Sequence, residues 1–275
     1  MQREWIERRL RWTRRLAIQA ARQLCHIYTE RVRSSVEESF QWKSDRHPVT
    51  PADRMLEDWI ITRIREADPR AQILTEERGL VGPARSARRW LVDPLDGTVN
   101  FMHRYPHFAI SIALEVRGTI VLGVVVDPMR RECFWAGRGL GAYCNRRPIR
   151  VSRVHAVNEA LIATGFAYSV IDHMADVIQI FRGFLYTAMG IRRSGSAALD
   201  LCYVAAGRLD GFWEAHLNPW DVAAGVCILE EAGGRWTDFR NRSTTIYDRE
   251  IVASNAHIHD QMIEIIQWAR SNGTQ

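Results

Sequence analysis

Asp93 and Asp96 stand three residues apart in Trp90-Leu91-Val92-Asp93-Pro94-Leu95-Asp96-Gly97-Thr98, where an apolar run ends. Pro94 fixes its own φ and turns Asp93 away from helix, while Gly97 can supply an unusual angle at the bend. A strand that ends this way can point both aspartates into one pocket. Two close carboxylates repel, and burying them uncompensated is costly. They therefore call for a cation, and hard oxygen ligands favour Mg²⁺, Ca²⁺ or Mn²⁺ over zinc. Taken alone, the same stretch also suits a plain turn with solvated acids.

Further acids extend the set. Glu76 and Glu77 follow the apolar pair Ile73-Leu74 closely, Asp221 follows Trp220 and opens the apolar stretch 222–229, and Asp53 lies in Val49-Thr50-Pro51-Ala52-Asp53. Asp53 is equally at home as an acid at a helix N-terminus. Glu77 reads as an outward-facing acid. Gly195-Ser196 before an apolar run suits a simple helix start. His103 and His107 have a spacing that can bind metal on a helix, but Pro106 interrupts it and no third ligand is evident, so they read as loop or packing residues. His257 and His259 read as solvated.

Together, residues 49–53, Thr75-Glu76-Glu77, residues 93–98, and Trp220-Asp221 with Gly233-Gly234 resemble the inositol monophosphatase family, in its order and spacing. The likeness runs from about residue 16 to about 268 and includes Gly195-Ser196-Ala197-Ala198, Asp210-Gly211-Phe212 and Glu214. The bacterial branch is the most similar. The resemblance implies a layered α-β-α-β-α sandwich of the inositol monophosphatase/fructose-1,6-bisphosphatase type. It implies a Mg²⁺-dependent, Li⁺-sensitive phosphatase that hydrolyses inositol-1-phosphate to myo-inositol and phosphate. Carried over, Glu76, Asp93 and the Leu95 carbonyl hold one Mg²⁺, and Asp93, Asp96 and Asp221 a second; Glu76 also contributes to a weaker third. Thr98 orients the attacking water, Glu76 takes its proton, and Asp53 orders Thr98 from behind. Gly97 and Thr98 bind the phosphate. Asp96, Gly195, Ser196, Ala197, Glu214 and Asp221 face the inositol ring. A homodimer is implied too.

Within the wider group, a 3′(2′),5′-bisphosphate nucleotidase, a fructose-1,6-bisphosphatase and a histidinol phosphatase stay open. Nucleotidases commonly continue the aspartate motif with Lys-Glu-Phe, whereas Val99-Asn100-Phe101 follows here, as in the inositol phosphatases. Relatives often carry an acid shortly before the Val-Thr of the Asp53 motif. Here Arg46-His47-Pro48 stands there, which bears on the stiffness of the loop carrying Lys43.

Composition bounds the broad class of protein. The 275 residues suffice for a large core in one or two domains. No apolar run approaches the ~18 residues of a membrane span, and the Arg-rich start lacks the apolar core of a signal peptide. Five scattered cysteines without a C-x-x-C pair fit reduced thiols in a cytoplasmic protein. The net charge of +5 is local: residues 1–33 hold nine arginines against three glutamates. Their apolar positions recur at helical spacing, giving an amphipathic surface helix with a basic outer face. Such a face is also a candidate contact for RNA or a transcription complex. Among 36 arginines there is one lysine, Lys43, ten residues before Asp53, where the family carries a lysine near the metals. An ammonium and a guanidinium are not interchangeable in a tight site.

The elements that must position these residues follow from periodicity. Helices are expected over about 3–32 and 51–67, with Thr50 as cap and Pro51 at the first helical position, and a polar loop over 41–50. Alternation and β-branched runs predict strands at 109–116, 120–127 and 133–136 in a mainly antiparallel sheet, with a hairpin at Arg117-Gly118-Thr119. Thr98 starts a short helix to about 103. Beyond 150, strands at 161–164, 191–193, 209–214, 235–238 and 251–253 alternate with helices at 172–188, 197–206, 219–232 and 256–270. This reads as α+β in residues 1–150 and α/β in 151–275, one compact catalytic unit without a flexible linker.

Overall fold

The computed structural model describes residues 2–34, 41–44, 47–166 and 174–272. Helix α1, Gln2–Ser34, buries Ile6, Leu10, Ala17, Ala20, Leu24 and Tyr28 along one stripe and exposes Arg8, Arg11, Arg15 and Arg22 on the other. Its arginines divide by role. Arg9 donates to the Ala67 carbonyl, Arg31 to that of Met102, and Arg14 lies over the Trp135 ring at 4.1 Å. Helix α2, Pro51–Ala67, starts on a reciprocal cap between Thr50 and Asp53 and buries Leu56, Ile60 and Ile64.

The described residues within 41–50 are not the irregular loop expected from their polarity. They contain β1, Gln41–Ser44, paired antiparallel with β2, His47–Val49. Strands this short carry too few residues to display alternation, so their pairing is invisible in the sequence.

Eight further strands form the first sheet: β3 Gln72–Thr75, β4 Gly79–Val81, β5 Arg88–Asp96, β6 Ala109–Val116, β7 Thr119–Asp127, β8 Glu132–Gly137, β9 Gly141–Cys144 and β10 Arg147–Pro148. Their order is β10-β9-β8-β7-β6-β5-β3-β4, antiparallel except for the parallel pair β3–β5. The turn between β6 and β7 places Arg117 and Gly118 at φ 51° and 78°, the two left-handed positions of a tight hairpin.

The second sheet has the order β12-β11-β13-β15-β14. It uses β11 Leu161–Thr164, β12 Gly190–Arg192, β13 Gly211–Ala215, β14 Arg235–Thr237 and β15 Glu250–Ser254. Three neighbours run parallel and β15 reverses.

Helices α5, Ala197–Ala205, and α6, Pro219–Glu231, fill the space between the sheets. Helices α1 and α2 cover the outer face of the first sheet, and α4, Met174–Thr187, with α7, His259–Asn272, covers that of the second. The result is the five-layer α-β-α-β-α sandwich. Its central layer is tight: a Cβ on Gly123 of β7 would fall 2.4 Å from the Ala224 carbonyl oxygen of α6.

His259 departs from the solvated reading. It is fully buried, its two ring nitrogens each 2.9 Å from the hydroxyls of Thr237 and Ser254. His257 is exposed beside His155. The five cysteines are all free thiols, three of them buried. Among the described residues no helix is long and apolar enough to cross a membrane.

Candidate active site

Asp93 and Asp96 should leave a regular strand on opposite faces, being an odd number of residues apart. Strand β5 avoids this. Asp93 pairs with Ser111 and Asp96 with Ala109, so three steps on β5 answer two on β6. The extra residue is a bulge at Pro94-Leu95, and it brings both carboxylates to the wall of one cavity of about 280 Å³. The Leu95 N–H donates to Asp93 Oδ1 at 2.9 Å and locks the turn.

The parallel pairing of β3 with β5 sets Thr75 opposite Val92. Glu76, one residue on, therefore emerges beside Asp93 and lines the same cavity. Glu57 of α2, buried, supports this corner by accepting the N–H groups of Glu77 at 2.9 Å and Arg78 at 3.3 Å.

After β5 the chain turns through Gly97 at φ 98°. A Cβ there would lie 3.0 Å from the His107 carbonyl oxygen, so both the angle and the space require glycine. Helix α3, Thr98–Met102, follows. The Thr98 hydroxyl is 3.1 Å from Asp53 Oδ1 and 3.1 Å from the Leu95 carbonyl oxygen. Asp53 itself is buried, and its Oδ2 accepts from the Thr50 N–H at 2.7 Å and the Thr50 hydroxyl at 2.6 Å. It stands behind Thr98 rather than on the cavity wall.

The second half closes the site. Asp96 Oδ2 accepts from the Ser196 hydroxyl at 2.5 Å and from the Ala198 N–H at 2.9 Å, docking the start of α5 on β5. Asp221 stands in the first turn of α6, and its Oδ2 accepts the Asn218 N–H at 2.7 Å. Glu214 points in from β13, opposite Gly165, where a Cβ would collide with its carboxylate. Gly195, Ser196 and Ala197 complete this wall. Lys43 lies on β1, its side chain outside the described residues.

Several contributors escaped the sequence reading. Asn100 donates through Nδ2 to the carbonyls of His107 at 2.7 Å and Ser194 at 2.9 Å, tying α3 to the second half. Arg193 and Arg249 reach the rim, and Arg249 donates to the carbonyl of His216, which sits at φ 66°. Asp200, an acid in the first turn of α5, lines the cavity although nothing in its local sequence separates it from a helix-start acid. His103 is exposed and His107 packs between Arg130 and Tyr203, so neither joins the acids.

The electrostatics follow from crowding. Burial, then the charges of Glu76, Asp96 and Asp221, hold the Asp93 carboxyl well above the ordinary carboxylate range. Burial pushes Asp96 up to about 6 despite the donors from Ser196 and Ala198, and Asp221 to about 8 against the Asn218 N–H. Glu214 reaches about 8, through burial and then the charge of Asp200, with Arg193 opposing. Among the described residues no three acidic, His or Cys side chains are gathered closely enough to cage a metal ion unaided. The donor set nevertheless fits a hard divalent cation: oxygen atoms only, each aspartate steadied through one oxygen, and an excess of negative charge that a cation neutralises.

Residues 9–271 match the sequence profile of the Inositol monophosphatase family. The chain belongs to this family. It is 40% identical over 256 residues to the Nus factor SuhB of Pseudomonas aeruginosa, covering 92% of this chain and 94% of that protein. It is 42% identical over 224 residues to the inositol-1-monophosphatase of Synechocystis, covering 80% and 78%. The crystal structure of the extragenic suppressor protein suhB from Bartonella henselae superposes with a TM-score of 0.86 at 39% identity, over 92% of this chain and 96% of that one. Family membership accounts for the five-layer sandwich.

Proposed function

We propose that the protein is a Mg²⁺-dependent phosphomonoesterase that hydrolyses inositol-1-phosphate to myo-inositol and phosphate. The observation that carries this reading is the convergence of Glu76, Asp93, Asp96 and Asp221 on one cavity beside the Thr98 hydroxyl. Glu76, Asp93 and the Leu95 carbonyl would hold one Mg²⁺, and Asp93, Asp96 and Asp221 another, with Glu76 reaching toward a third. Bound Mg²⁺ supplies charge neutralisation and acidifies water. The chain's own groups do the rest. With Leu95 engaged, the Thr98 hydroxyl donates its one hydrogen bond to Asp53, and its lone pairs are left to accept one from the attacking water. Glu76 takes up the proton that the water releases. The free N–H groups after Gly97 receive phosphate oxygens. Glu214 and the backbone at Gly195, Ser196 and Ala197 face the alcohol. The two halves, 1–150 and 151–275, act as one catalytic unit, in a cytoplasmic, Li⁺-sensitive homodimer with Lys43 supporting the metals.

Phosphate release from inositol-1-phosphate, measured with and without Mg²⁺ and across a Li⁺ titration, tests the reading. Mg²⁺-dependent turnover inhibited by Li⁺ supports it. Faster turnover of 3′,5′-bisphosphate nucleotides, fructose-1,6-bisphosphate or histidinol phosphate reassigns the substrate. No turnover of any of these refutes it.

A second reading has its own observation. Arg8, Arg11, Arg15 and Arg22 form an outward stripe on α1 with no ion-pair partner among the described residues, and one relative is named a Nus factor. We infer a contact surface there for RNA or a transcription complex, compatible with catalysis. Salt-dependent binding of RNA, lost on charge reversal at Arg8, Arg11 and Arg15, supports it; no such binding by the unmodified protein removes it.

A further inference from the structure

The reaction described above uses Asp93, Asp96, Asp221 and Glu76, but it leaves Asp200 without a task. Asp200 is 1% exposed, yet it lines the cavity. Its Oδ1 is buried and has no hydrogen-bond partner among the described residues, while Ser194 supplies a hydrogen bond to its carboxyl group. A buried carboxyl oxygen left unsatisfied costs free energy that folding alone does not recover. Asp200 thus brings to the cavity wall a carboxyl group whose hydrogen-bonding capacity the fold leaves partly unfilled.

Its surroundings say what fills it. Asp200 lies on α5 and Glu214 on β13; Glu214 feels the charge of Asp200, Asp200 that of Asp96, and Arg193 is near both. Gly165 keeps the space beside Glu214 clear, since any Cβ there would lie 2.0 Å from Oε2. The two acids thus share one stretch of the cavity wall. Buried carboxyl groups there suit neutral hydrogen-bonding partners, and hydroxyl groups are what a polyol offers.

We propose that Asp200 is a specificity-determining residue of the alcohol subsite: its carboxyl group receives a hydroxyl of the leaving polyol, beside the hydroxyl received by Glu214. This rests on the phosphomonoesterase reading. Binding a substrate rich in hydroxyls satisfies this carboxyl group, whereas an alcohol of the same shape without them leaves it unpaired. Sites built to pair a substrate hydroxyl reject analogues lacking it strongly.

The test compares inositol-1-phosphate with cyclohexyl phosphate, which keeps the ring and removes the other hydroxyls. The ratio of their kcat/KM values should fall at least tenfold in Asp200→Ala, mainly through KM for inositol-1-phosphate, and the isosteric Asp200→Asn should restore part of it. Calorimetric binding of myo-inositol should weaken at least tenfold in Asp200→Ala. An unchanged ratio with unchanged myo-inositol binding in both variants overturns the proposal while leaving the phosphatase reading intact. If the unmodified protein turns over no phosphomonoester and binds no myo-inositol, the underlying reading falls, and this one with it.

Discussion

Asp93 has the most to lose from a single atom. Its Oδ1 is held by the Leu95 N–H, and its charge is opposed by Glu76, Asp96 and Asp221. Asp93→Asn keeps the shape and removes the charge needed at the centre of the site. Turnover should fall by at least ~10³-fold, judged against the 10²–10³ lost with one preorganised donor elsewhere. Metal-free Asp93→Asn should nonetheless melt at or above the temperature of the unmodified protein, because a buried repulsion is gone. Differential scanning calorimetry with a chelator checks this, and a lower melting temperature would contradict the electrostatic account. Thr98→Ala and Asp53→Asn should each lower kcat, roughly 10²-fold, since both remove the aim of one hydroxyl.

The same acids set a pH dependence. Asp221 and Glu214, at about 8, and Asp96, at about 6, hold protons in the folded chain that the unfolded chain has released. Their stabilising protonation is complete below the unfolded values and is lost as pH rises through the folded ones. His107 and His259, lowered from 6.5 to about 4 by burial and then by nearby Arg130 and Arg235, act oppositely: their contribution is present above 6.5 and lost toward 4. Between about 4 and 6.5 the two sets offset one another, and above that range only the carboxyls act. Chelated protein should therefore lose thermal stability from about pH 6.5 to 8, and Mg²⁺ should reverse the loss.

At the scale of elements, α2 is the platform. Asp53 and Glu57, one turn apart on its buried face, hold Thr98 on one side and the turn after Glu76 on the other. Glu57→Ala should lower kcat ~10-fold or more and raise the Mg²⁺ concentration needed for half-maximal activity, because supporting partners of ligands commonly change affinity by 10–100-fold. The central layer makes a second prediction. Gly123→Ala forces β7 and α6 apart and should cost about 1–3 kcal/mol in urea unfolding. It should also disturb Asp221 at the head of α6.

What was legible at this scale depended on where a residue's partners lie. The cap of α2, the turn at Pro94 and the glycine bend are local, and their residue types announce them. Strand β6 was readable to its ends because eight residues suffice to show alternation. The β1–β2 hairpin was not, being too short and polar. His259, at the start of α7, looked solvated since its partners, Thr237 and Ser254, sit on strands β14 and β15. Asp200 was invisible for the same reason: its meaning comes from Glu214 and Asp96, brought close only by the fold. The bulge that turns Asp93 and Asp96 to one side needs the register against β6, which no single strand contains.

For the whole molecule, the surface charge is concentrated rather than spread. Charge reversal at Arg8, Arg11 and Arg15 should leave the melting temperature within about a degree or two, since exposed groups without partners contribute little. It should abolish any salt-dependent RNA binding, checked by fluorescence anisotropy across ionic strength. The acidic cavity, in contrast, is lined from elements of both halves.

That placement has a consequence in the language of polymers. Asp93 lies near the end of a strand of the first sheet and Asp221 in the first turn of a helix between strands of the second, more than a hundred residues later. A divalent ion held by both would close a loop of that length in the chain, as a disulfide does. A permanent link closing a 100-residue loop is worth about 4.7 kcal/mol in the chain-entropy account. Here the link would be reversible and set by concentration. Magnesium would thus act as a titratable staple, and the resistance of the two halves to coming apart would track the free ion around them.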